Sequence, residues 1–216
     1  MQRTWSRLAS PSRSPEEWVE QMAAMAHARN RILAAGGWTA GPWTLMAVLE
    51  LSRAEVQNCR VLRWLLDPLA RHGFGADLIS SLCTHLGLKV SHPELARVAA
   101  EVTRQDTRAD IVIEGLDGGR MLVIEAKIDA PEGARQAERI ETLWPEAERL
   151  GFLTVGGTQL PRTATDRDRW RAISWSWFAT AVEHLLAEPP AGADPRANEA
   201  RRAAQDWVAG TRRNLT

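Results

Sequence analysis

The stretch ADIVIEGLDGGRMLVIEAKI, residues 109–128, constrains the chain more than any other. Two apolar runs, IVI and MLVI, flank a glycine-rich break. Asp-Gly is a strong signal for a tight turn between antiparallel strands. Runs this apolar are those of strands buried on both faces. With Asp117 and Gly118 in a two-residue turn, the numbers of opposed residues sum to 235, and Asp110 stands directly across from Glu125. Moving the turn to Gly118-Gly119 puts Asp110 across from Lys127 instead. In both registers Asp110, Glu125 and Lys127 share one face, because side chains alternate along a strand. A three-residue loop needs a bulge to restore that pairing.

Facing carboxylates repel each other and lose hydration when half-buried. Something positive must compensate. Lys127 neutralises one charge, and a divalent cation neutralises both; hard oxygen ligands suit Mg²⁺ or Mn²⁺. The competing reading is a solvated hairpin with a surface salt bridge of little worth. The apolar runs argue for burial and so for a functional site.

Around the hairpin the pattern is mixed. Ser14, Pro15 and Glu17 form a helix start, and Trp18, Met22, Met25, Ile32 and Leu33 approximate one stripe. A second helical region runs from Trp43 to Leu66, interrupted near Ser52, and stops at Asp67-Pro68. A helix over ADLISSLCTHLGL ends at Gly87, and Ser91 with Glu94 repeats the helix-start signal. After the hairpin come a helix over residues 131–150, strands GFLTVGG and WRAISW, a helix from Ser176, the linker PPAGADP and a last helix. This order predicts an α/β fold with one central mixed sheet flanked by helices. The length suits one domain over 1–216: a helical extension at 1–44, a core at 45–185, and a linker with a C-terminal helix at 186–216.

Lys plus Arg and Asp plus Glu number 27 each, so net charge draws the chain toward neither nucleic acid nor membrane. No apolar run is long enough to span a bilayer, and the first residues lack an apolar core for export, which places the protein in the cytoplasm. Cys59 and Cys83 lie in apolar helical patterns without metal-ligand spacing and read as buried hydrophobes. Ten Trp beside no Tyr has no physical account at this level.

An Asp opening one strand and Glu-x-Lys ending the next resembles the signature of the PD-(D/E)XK nuclease superfamily, here Ala109-Asp110 and Glu125-Ala126-Lys127. Glu55 followed by VLRWLLDPLARHGFG resembles the N-terminal signature of one bacterial branch, which carries a Glu, an LLDP and an HG.G. KIDAPEGARQAER resembles the stretch after its motif, and the next two strands are similar as well. The resemblance covers residues 45–185. It departs at Ala109, where the name has Pro, at Ala126, where the branch often has Asn, and near Ala137 and Ile140, where Leu and Tyr are common.

The resemblance implies a restriction-endonuclease-like core with a catalytic hairpin and a Mg²⁺-dependent nuclease, with Mn²⁺ as substitute. Its partner is nucleic acid, DNA over RNA, with use in restriction or phage defence. A homodimer or a partner protein fits such enzymes. Asp110 and Glu125 then bind the metal with the Ala126 carbonyl. Lys127 holds the attacking water and a phosphate oxygen, Gln136 is a helper on the next helix, and Glu55 is an extra acid. Each has a plainer alternative: Lys127 a snorkelling strand-end lysine, Gln136 a solvated glutamine, Glu55 a partner in a capping box with Ser52. Asp106, Asp129 and Glu132 lie nearby without an assigned role. His72 reads as a structural turn histidine. Arg104 and Arg108 touch phosphate or are solvated charges, and Trp38, Trp43 and Trp64 stack on bases or pack in the core. The alternative function is a nuclease-fold binding or scaffold module without turnover.

Overall fold

The computed structural model describes residues 14–36, 41–189 and 195–216. The chain divides into two compact units, Met1–Gly41 and Pro42–Thr216. The first unit contains α1, Pro15–Ala34, whose start is the expected capping box: Ser14 Oγ accepts from the Glu17 amide and Glu17 accepts from the Ser14 amide. Residues 1–13, Trp38 and most of the PPAGADP linker lie outside the described residues.

The second unit is a mixed sheet between helical layers. Its helices are α2 (Leu45–Val48), α3 (Glu55–Leu66), α4 (Asp77–His85), α5 (Gln136–Leu143), α6 (Trp175–Ala187) and α7 (Pro195–Asn214). Its strands are β1 (Arg97–Arg104), β2 (Thr107–Leu116), β3 (Arg120–Ala126), β4 (Ala147–Thr154) and β5 (Trp170–Ser174). They lie in chain order, antiparallel from β1 to β3 and parallel from β3 to β5. Ile111, Ile113 and Ile124 pack on one side with Cys59, Leu62, Leu82 and Phe178 of the helices. Val112, Val123 and Phe152 pack on the other with Ile140 of α5 and Trp144. The two faces of β2 and β3 are therefore both buried, as their unbroken apolar runs require. Among the described residues no helix is long and apolar enough to cross a membrane.

Two expectations are corrected. Residues 91–100 are not a helix. A short 3₁₀ turn at Pro93–Leu95 leads into β1. The Ser91 and His92 amides donate to the Asp117 carboxylate, and Glu94 pairs with His92, so the capping signal is used elsewhere. The helix expected over 131–150 covers only Gln136–Leu143, and β4 begins at Ala147. Pro145 explains the stop, since the residue before proline is pushed out of the helical region, and Trp144 has φ −122°.

The hairpin turn also differs in detail. Leu116 pairs with Arg120, so Asp117, Gly118 and Gly119 form a three-residue loop. A register shift between Ile113 and Leu116 then returns the ladder to Ile113↔Leu122, Val112↔Val123 and Ile111↔Ile124. The ladder ends at Ile111↔Ile124, the pair next to Asp110 and Glu125. Gly115 makes the shift possible. Its φ is +78°, and a Cβ there would stand 3.0 Å from the Leu95 carbonyl oxygen. Gly115→Ala is expected to destabilise the protein by about 1–3 kcal/mol, seen as a lower midpoint in urea unfolding. An unchanged midpoint would mean that the bulge does not hold the register.

Candidate active site

Asp110, Glu125, Lys127, Gln136 and Glu55 come together at one end of β2 and β3. Asp110 is buried, and its Oδ2 accepts from the Ala126 amide at 2.7 Å. Glu125 is 2 % exposed. Its Oε1 accepts from Lys127 Nζ at 2.6 Å and from Gln136 Nε2. Its Oε2 is buried with no hydrogen-bond partner. Lys127 Nζ also donates to the Ala126 carbonyl at 2.8 Å.

Glu55 is the first residue of α3 and makes no capping box, because Ala54 is the cap and no side chain caps this end. Its Oε2 accepts from the Ile128 amide at 3.0 Å, and its Oε1 lies 3.6 Å from Lys127 Nζ. Buried Asn58, which sequence reading passed over, fixes this end of the helix. It donates to the Leu51, Ser52 and Ala54 carbonyls and accepts from Trp207 Nε1 at 3.1 Å. Gln136 begins α5. It is no solvated glutamine: its Oε1 accepts from the Gly133 amide while its Nε2 holds Glu125.

The electrostatics follow from burial. Burial pushes Asp110 up to about 6, against the pull of the Ala126 amide and Lys127. Burial, and then the charge of Asp110, pushes Glu125 up to about 8. Glu125 rises despite its ion pair because a single ammonium serves three carboxylates. Burial works against the Lys127 ammonium, yet Glu125, Glu55 and Asp110 hold its pKa above the ordinary lysine value. With all four groups ionised, two negative charges remain uncompensated, the charge that a divalent cation carries.

Among the described residues no three His, Cys, Asp or Glu side chains stand together as a metal-holding group. The donor set here is smaller: two carboxylates and the Ala126 carbonyl. It still fits a hard cation. All its donors are oxygens, and the orphaned Glu125 Oε2 is a buried acceptor that otherwise carries a desolvation cost.

Glu101 was not foreseen. The β1 ladder pairs Ala100 with Ile111 and Val102 with Ala109, so Glu101 falls opposite Asp110. Its φ is +59°, unusual for a side chain other than glycine, and its carboxylate binds Arg108 at 2.9 Å. The clue was register arithmetic between β1 and β2, which reading residues 91–100 as helix concealed.

Other candidates have structural jobs. His72 is buried between Trp64 and Phe74; its Nδ1 accepts from the Phe74 amide, so its Nε2 donates to the Trp64 carbonyl. Burial holds its pKa below the ordinary value. Arg104 donates to the Leu143 carbonyl and pairs with Glu146, which leaves it no role as a free phosphate contact. Asp129 pairs with Arg53. Trp64 is partly buried against the core and Trp43 is exposed. Cys59 and Cys83 are free and buried.

Comparison with models of known protein families gives no match, and comparisons with curated proteins and with solved structures give none either.

Lys127→Met is expected to lower the melting temperature of the metal-free protein sharply. Above pH 8, where Glu125 is ionised, it strands a buried charge, and removing one partner of a buried pair typically costs about 3–5 kcal/mol. Mn²⁺ should then raise the melting temperature of the variant more than that of wild type, because the ammonium no longer competes for Glu125 and the Ala126 carbonyl. Equal melting of the two metal-free proteins would show that the ion pair does not matter to the fold.

Proposed function

We propose that the chain is a metal-dependent nuclease of the PD-(D/E)XK type, hydrolysing phosphodiester bonds of nucleic acid, DNA in preference to RNA, on a restriction-endonuclease-like core. The observation that carries this reading is the buried Asp110–Glu125 pair with an orphaned carboxylate oxygen and a lysine against it. Asp110, Glu125 and the Ala126 carbonyl would hold Mg²⁺ or Mn²⁺. The ion supplies charge stabilisation at the phosphoryl group and lowers the pKa of a bound water.

The chain's own residues supply the rest. Lys127 is held protonated by its carboxylate neighbours, so it acts as a cation and not as a base. It can orient the attacking water and balance charge building on a phosphoryl oxygen. Gln136 is a positioning residue. It fixes Glu125 while the Gly133 amide fixes Gln136. Glu55 ties α3 to the residue after Lys127 and adds negative charge beside the ammonium.

One observation favours the alternative, a nuclease-fold module without turnover. Lys127 already neutralises Glu125 and occupies the Ala126 carbonyl. A single experiment separates the readings: incubation with linear, circular and single-stranded DNA and with RNA, in Mg²⁺, Mn²⁺ or EDTA. Wild type should cleave only with metal. Asp110→Asn should lose metal binding and turnover together. Lys127→Ala should lose about 10²- to 10³-fold in rate, and Gln136→Ala less, since a neutral amide is the weaker partner. Lys127→Ala cleaving at the wild-type rate would remove the site from the activity. Wild type cleaving nothing would move the module reading to the front.

A further inference from the structure

We propose that the cleft beside Lys127 seats one unstacked nucleotide of a single-stranded nucleic acid, an inference that rests on the nuclease reading of the neighbouring site. The cleft is about 360 Å³, and its lining includes Lys127, Phe152, Thr154, Gln159, Leu160 and Arg162. That is the lower end of the range for sites that seat one small molecule, about 300–1,000 Å³. It has room for one base with its sugar-phosphate and not for a stacked base pair. Phe152 is opposite Glu125 in the parallel β3–β4 ladder, so the cleft continues the catalytic face of the sheet without a break.

The chemistry of the lining suits each part of a nucleotide. Leu160 offers apolar surface to a base, above a floor closed by the buried Phe152, which Trp170 holds edge-on at 6.2 Å. The Gln159 amide can donate to and accept from a base edge. Lys127 and Arg162 are the two cations of the cleft. The Arg162 side chain is 80 % exposed and only loosely paired, 3.9 Å from Glu132, so its guanidinium is available to a phosphate.

The wall is built to stay in place. Residues 155–169 join two parallel strands without helix or strand of their own, and segments of this kind are often functional. Two glutamates hold this one. Glu132 accepts from the Arg162 and Thr163 amides and from the Thr163 hydroxyl. Glu141 accepts from the Thr165 and Asp166 amides, the Thr165 hydroxyl and Trp170 Nε1. The Thr163 hydroxyl in turn accepts from the Ala137 amide of α5. Gln159, Leu160 and Arg162 are thus carried on a backbone fixed against the same helix that positions Gln136. Pre-organised walls lower the ordering cost of binding.

The test is fluorescence anisotropy in EDTA, which separates binding from cleavage. Labelled single strands of about twelve nucleotides, one DNA and one RNA, are compared with a blunt DNA duplex. Wild type should bind the single strands more tightly than the duplex. Arg162→Glu keeps the backbone amide bonded to Glu132 and should weaken single-strand binding about tenfold or more, with a shallower salt dependence. Leu160→Asp should weaken it similarly. Arg120→Glu, at the far end of β3, should leave it unchanged. Wild-type binding by Arg162→Glu and Leu160→Asp, or a duplex bound as tightly as the single strands, would overturn the proposal. This binding pattern without any cleavage would sink the nuclease reading and leave the cleft standing. Cleavage with unaltered binding in the variants would do the reverse.

Discussion

The fold is organised around a cost: Glu125 is taken out of water beside Asp110. Two carboxylates buried at neighbouring positions of one strand pair repel each other, and each loses hydration. The chain offsets this locally. Asp110 takes the Ala126 amide, and Glu125 takes Lys127 and Gln136. One oxygen of Glu125 is left over. A protein selected for stability alone would fill this position with an apolar side chain, since replacing buried ion pairs by packed hydrophobes is often neutral or stabilising.

The surroundings hold that cluster from several directions at once. The bulge at Gly115 sets the register of β2 against β3. Asn58 and Trp207 anchor the start of α3, which places Glu55. The break before α5, with Arg135 in the left-handed region, brings Gln136 over Glu125. Glu132 and Glu141 then fix the segment before β5 against α5. Asn58, Gln136, Glu132 and Glu141 together hold the segments around one end of the sheet.

The parts of this arrangement written in short range were legible in the sequence. Two apolar runs around Asp117-Gly118 give the hairpin, although the turn has three residues and the shift near Gly115 restores the expected register as far as Ile111↔Ile124. What depends on tertiary partners was hidden. The Ser91–Glu94 spacing is a sound helix signal, but Asp117 captures the Ser91 amide that Glu94 would have capped, together with the His92 amide. Within the helix expected over 131–150, Pro145 is the local signal that ends α5 before β4. Glu101, Asn58, Glu132 and Glu141 carry no local pattern. Their roles appear only when distant segments meet. Of the Trp residues, Trp144, Trp170 and Trp175 are fully buried and serve as core volume.

The claim that Glu125 and Asp110 form a cation site is tested most directly by Mn²⁺ titration followed by electron paramagnetic resonance, on wild type and on Glu125→Gln. Glutamine keeps the size of the side chain and removes its charge. Wild type is expected to take up a single tightly bound Mn²⁺ per chain, and Glu125→Gln to bind it at least about tenfold more weakly. Equal Mn²⁺ affinity in the two proteins, or none in wild type, would contradict the account.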